Sequence, residues 1–107
     1  MEKILFDNNN HHHDGLNITV RNGTKWKKLN VGDAIMCCEI DGKDTDFIGN
    51  VALVYCGRLN ECPQQLLEEE HDPACQTFEG LKKVLSRVYN KEFDGSEVVT
   101  MIGYYLK

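Results

Sequence analysis

The hydrophobic period of this chain switches once and then switches back, which limits its possible folds more than any single motif does. Up to Tyr55 the apolar residues alternate or run unbroken. Between Pro63 and Val88 they recur at helical spacing, and from Glu97 a strand-like run returns. Residues 17–21, "NITVR", alternate cleanly: Ile18 and Val20 point one way, Asn17, Thr19 and Arg21 the other. Residues 3–6, "KILF", suit a short strand. "AIMCCEI" at 34–40 is an unbroken apolar run of the kind covered on both faces. "FIGNVALVY" at 47–55 predicts a long strand in which Gly49 marks a bulge or bend. "NGT" at 22–24, "VGD" at 31–33 and "DG" at 41–42 supply turns.

Pro63 suits a first helical position, so "PQQLLEEEH" at 63–71 predicts a short helix that "DP" at 72–73 ends. Thr77 can cap a second helix, with Glu79 in its first turn. Phe78, Leu81, Leu85 and Val88 then share one face, and Lys82, Lys83, Ser86 and Arg87 the other. "EVVTMIGYYLK" predicts a closing strand along which Tyr104 and Tyr105 alternate, one inside and one exposed. Strands, two helices and a last strand make an α+β fold: a small curved β-barrel with both helices packed on one side. The 107 residues suffice for one domain with a modest core. No segment approaches the roughly 18 apolar residues of a membrane span. The opening "MEKILFDNNN" has too short an apolar run for a secretory signal, so the expectation is a cytoplasmic protein without a membrane partner.

Five cysteines, an odd number, argue against a disulfide framework; Cys37, Cys38 and Cys56 sit in apolar runs as small hydrophobes. Cys56, Cys62, His71 and Cys75 lack the C-x-x-C spacing of a zinc site. The run His11–His13 lies in a polar stretch ending at Gly15, and adjacent histidines in a loop present no preorganised tetrahedral set. No metal or cofactor is therefore expected.

The net charge is -5, yet four of the twelve basic residues, Arg21, Lys25, Lys27 and Lys28, fall in eight positions around the only tryptophan, Trp26. Overall acidity counts against a sequence-blind nucleic-acid binder but allows a local basic groove for a nucleotide or a short single strand. Arg21 on a strand face can hold a phosphate or base edge in a forked bond, or form a structural ion pair with Glu70 or Glu97. The three lysines form either a ligand-facing wall or a solvated rim. Trp26 can stack a base, although burying a lone indole contributes more to a small core. His71, four residues after Leu67, either faces a cleft or caps the helix end as a cation.

"NITVRNGTKWKKLNVGD", with "LLEEEHDPACQTFEGLKKVLSRVYNKEF" and "SEVVTMIGYYL" in that order, resembles an ASCH domain of the PUA-like superfamily over about residues 15–106. The family shows a Thr-x-Arg or Glu-x-Arg strand, a short basic segment, a Gly-Asp turn, a helix ending in an acidic-His pair and a Leu-Lys-Lys helix ending in tyrosine. The resemblance implies a cleft between barrel and helices that binds RNA, a nucleotide or a nucleoside. Small bacterial members look like amidohydrolases that remove an acyl group from N4 of cytidine, using a lysine, a threonine and a glutamate. Thr19 and Arg21 match the Gly-x-Lys-x-x-Thr-x-Arg motif; Leu16 stands at the lysine position, and Gly15 is displaced by one. After His71 come Asp72, Pro73, Ala74 and Cys75, with no glutamate where the family has one. Amide hydrolysis needs a nucleophile with a base and an oxyanion donor. Thr19 remains, and Lys25, Glu70 or a histidine of 11–13 would have to stand in. Three functions compete: an RNA- or nucleoside-binding module, an amidohydrolase with a rearranged site, and a protein-interaction domain.

Overall fold

The computed structural model describes residues 1–6, 12, 14–39 and 47–107. Its strands are β1 (Glu2–Phe6), β2 (Leu16–Asn22), β3 (Ala34–Glu39), β4 (Ile48–Arg58) and β5 (Val98–Leu106). They form one sheet in the order β1-β3-β4-β5-β2, parallel between β1 and β3 and antiparallel elsewhere. Two α-helices, α1 (Gln64–Leu67) and α2 (Phe78–Val88), lie between β4 and β5 in the chain. The α+β order is the one that the change of period predicts. The hairpin turn expected at 41–42 lies outside the described residues, as do His11 and His13. Among the described residues, no helix is long and apolar enough to cross a membrane.

The sheet curls but does not close. β1 and β5 are separated by two strands, about 14 Å in a flat sheet, yet the rings of Phe6 and Tyr104 have centroids 6.1 Å apart. Inside the curl, Ile4, Phe6, Ile35, Val51, Ile102 and Tyr104 pack with Trp26. On the other face, Ile18, Val20, Val99 and Met101 meet Leu67, Leu81 and Leu85. The small curved sheet or barrel that the sequence predicts is present, in its open form. β1 and β2 stand at opposite ends of the strand order with a seam between them. One side chain spans it: Arg21 of β2 donates from Nη1 to the Leu5 carbonyl of β1 and stacks its guanidinium 4.5 Å from the Phe6 ring centre.

Local signals set α2 as predicted. Thr77 Oγ1 accepts from the Gly80 amide at 3.1 Å, and Leu81 and Leu85 are buried. The helix expected over 63–71 stops at Leu67. The Ile18 amide donates to the Glu69 carbonyl, and the His71 amide donates to the Ile18 carbonyl, both at 2.8 Å. β2 is a sheet edge and Ile18 is fully buried, so its outward backbone groups need partners. The chain leaves the helix to supply them.

Glycine permits close approach at two places. A Cβ on Gly49 would lie 3.0 Å from the Tyr104 ring, and one on Gly103 only 2.7 Å from Leu53 Cγ. The Leu53 side lies at the register shift in β4, two to four residues beyond Gly49 rather than at it. Gly103→Ala should therefore cost about 1–3 kcal/mol in urea denaturation. Adding Leu53→Ala should cost less than the sum of the two single losses, because it removes the clashing group.

Candidate functional site

The seam opens into a cleft of about 90 Å³ between the β1 and β2 edges and the C-terminal half of α2. Leu81, Val84, Leu85, Val88 and Tyr89 make its aliphatic wall, with Leu5 and Phe6 opposite. Thr19, Arg21, Glu70, His71 and Asp72 bring polar groups to it. A few convergent polar groups against an apolar wall is the usual build of a small-molecule site. The volume is below the roughly 150 Å³ cavity that accepts benzene. A ligand would therefore insert an edge or an acyl group and leave the rest outside.

Thr19 and Arg21 lie on the inner face of β2 as the alternation requires. Thr19 is almost fully buried, and its Oγ1 accepts from Arg21 Nε at 3.2 Å. Burial lowers the Arg21 pKa, with Tyr89 and Glu70 acting in the opposite sense. A guanidinium remains a cation even so. The alternative of an Arg21–Glu97 ion pair is displaced, because Glu97 accepts instead from the amides of Asp94 and Gly95.

The bridge at Ile18 delivers Glu70 to the same place. The residue is 2% exposed. Oε1 accepts from the Asp72 amide at 3.1 Å and lies 3.2 Å from His71 Nε2. Burial pushes its pKa from 4.5 up to about 8, although the Asp72 amide and Arg21 both pull it down. Near neutral pH the carboxyl mostly keeps its proton and can donate as well as accept. Burial likewise pushes the Cys37 thiol up to about 12 and raises the Tyr104 phenol, so both stay neutral beside Arg21.

Of the residues singled out from sequence, Thr19, Arg21, Glu70 and His71 come together. The basic turn does not join them. Lys25–Lys28 form a 3-10 turn whose lysines are exposed, and none of them lines the cleft. The physical reason is Trp26, 8% exposed within the curl, which draws the turn against the core and away from the seam. Lys25 and Lys28 hold their ammonium groups 4.9 and 5.7 Å from its ring centre, and Lys28 pairs with Glu2 at 3.1 Å. Trp26 is thus core rather than a stacking platform, and Lys25, Lys27 and Lys28 are a solvated rim. Leu16, at the motif's lysine position, packs on the helix-side core.

Sequence reasoning gave Tyr89 and Tyr104 no part in the site and named His12 only within the run 11–13, as a stand-in base. Tyr89 follows the last residue of α2, and its hydroxyl accepts from the Asn22 amide at 3.3 Å. His12 Nδ1 lies 2.7 Å from the Tyr104 hydroxyl, and its ring stacks on His71 at 5.3 Å. Neither contact leaves a local trace in sequence. Among the described residues, no three or more His, Cys, Asp or Glu side chains could together hold a metal ion.

No family model and no curated protein matches the sequence. Among solved structures, the crystal structure of an ASCH domain from Lactobacillus crispatus superposes with a TM-score of 0.61 at 10% identity, covering 84% of this chain and 63% of that one. A protein of the DUF984 family model from Enterococcus faecalis superposes with a TM-score of 0.60 at 10% identity, covering 85% and 60%. The likeness is one of fold, and the fold is that of an ASCH domain. The chain spans 60–63% of the length of these two structures.

Glu70 links the site to stability. The folded chain holds its proton more tightly than the unfolded chain does. Its contribution is therefore complete below the ordinary carboxyl range and is lost as pH rises toward about 8. Urea midpoints should fall from about pH 5 to about pH 8, and Glu70→Gln should flatten that slope by on the order of 1 kcal/mol per pH unit.

Proposed function

We propose that this chain is a nucleoside-binding ASCH-type domain that takes the edge of a base in the seam cleft, with the sugar outside. The observation that carries this reading is the convergence of Thr19, Arg21 and the buried Glu70 carboxyl opposite an apolar wall. A base edge alternates donors and acceptors. A guanidinium donates, and a neutral carboxyl does both, so the pair suits such an edge and α2 covers the ring. RNA reaching Lys25, Lys27 and Lys28 would meet a separate surface, bound through phosphate charge and weakened by salt.

A second reading, hydrolysis of an N4-acylated cytidine, is favoured by the placing of Thr19 and Glu70 in one cleft. Thr19 would pass its hydroxyl proton to His71 as Oγ attacks the acyl carbon, and the amine would leave with the proton supplied by Glu70. Water would then cleave the acyl ester, giving one proton back to Glu70 while His71 returns its own to Thr19 Oγ and the acid is released. Leu16 replaces the family's lysine, so the base in this scheme is His71.

Paired NMR titrations with N4-acetylcytidine and a short mixed RNA test both readings. Nucleoside-induced shifts at Thr19, Arg21 and Glu70 are expected, and Arg21→Ala should weaken binding at least about tenfold. Cytidine and acetate released by the unmodified protein and lost in Thr19→Val would establish the hydrolase. Shifts confined to the lysines, and only with RNA at low salt, would overturn the cleft reading. Silence from both ligands would leave a protein partner.

A further inference from the structure

We propose that His12 is a positioning residue for the cleft: clamped by Tyr104 and stacked on His71, it holds the His71 ring against the Glu70 carboxyl and keeps water from behind that pair. The inference rests on the reading of the cleft as the ligand site, but its geometry is independent of any ligand. His12 belongs to a histidine run to which the proposed function gives no role. It nevertheless docks into a box built from two strands, β1 and β5, the residue just before β4 and the bridging segment. Tyr104, fully buried on β5, places its hydroxyl 2.7 Å from His12 Nδ1. The rings of His12 and His71 lie 28° from parallel at 5.3 Å, whereas Phe6 meets both edge-on, at 4.8 and 5.0 Å. Phe47 covers His12 at 5.1 Å.

The chain of contacts runs from the β5 phenol through two stacked imidazoles to Glu70 Oε1, 3.2 Å from His71 Nε2. The His71 ring, on an irregular segment, is wedged between Phe6 and His12, which holds it in one orientation. Orientation matters because only one ring nitrogen can face the carboxyl. The remaining ionisable groups facing Glu70 are Arg21 of β2, Asp72 of its own segment and Tyr104 of β5. Each stays in place when His12 is replaced.

Removing His12 opens the back of the pair to water, and a better-hydrated carboxyl ionises more readily. The test is the NMR titration of the Glu70 carboxyl, assigned with Glu70→Gln, in His12→Ala and Tyr104→Phe. Both variants should lower the Glu70 midpoint by roughly half a pH unit or more. His12→Phe, which keeps a stacked ring, should restore most of the shift. N4-acetylcytidine affinity should fall severalfold in His12→Ala, while amide spectra of α2 and β4 stay unchanged. Tyr104→Phe keeps the ring volume and carries the same test if His12→Ala does not fold. An unmoved midpoint in the folded variants overturns the inference even if the nucleoside binds. A lowered midpoint with no nucleoside binding would sustain it and sink the nucleoside reading instead.

Discussion

Two hydrogen bonds from one residue set the arrangement of this site. Ile18 lies at the edge of the sheet and is fully buried, so its outward amide and carbonyl must be satisfied by something other than water. Glu69 and His71 satisfy them. That pairing ends α1 early and registers the segment against β2. As a result Glu70 falls beside Thr19 and Arg21, and His71 beside Phe6. A helix continued through residue 71 would have left the Ile18 backbone groups unpaired and carried Glu70 away from the seam.

Burial then decides the chemistry. Glu70 sits near a guanidinium, which on its own would hold a carboxyl ionised, but loss of water outweighs that attraction. The cleft therefore offers a cation beside a mostly neutral carboxyl rather than a spent ion pair. The same competition explains the basic turn. Three lysines gain little from being buried, and one indole gains much, so the tryptophan goes inside and the lysines are left in solvent beside it. Charge clustered in sequence became charge dispersed on the rim.

What could be read from the sequence follows the range of the interactions. The cap at Thr77, the stripe of Leu81 and Leu85, the alternation through Ile18 and Val20 and the buried Cys37 and Cys38 are settled within a few residues, and they are where the pattern puts them. The early end of α1 and the docking of His12 depend on distant partners, as with His12 and Tyr104 at a separation of 92, and the seam on a contact between Arg21 and Leu5 that strand pattern does not mark. Thr19 and Arg21 were legible because they share a strand. Glu70 was visible only as a carboxylate that might stand in, since nothing local marks which of three consecutive glutamates is buried.

The open seam is itself the reason a cleft exists. Had β1 and β2 joined by a backbone ladder, strands about 4.8 Å apart would have left no space between their edges. Joining them through Arg21 instead sets the edges a side chain apart and lines the gap with the bonding group. The fork carries five N–H donors, of which the Thr19 hydroxyl and the Leu5 carbonyl take two. One residue can thus hold the sheet together and still turn donors toward a ligand. This is why the closure of the fold and the chemistry of the cleft are read from the same side chain.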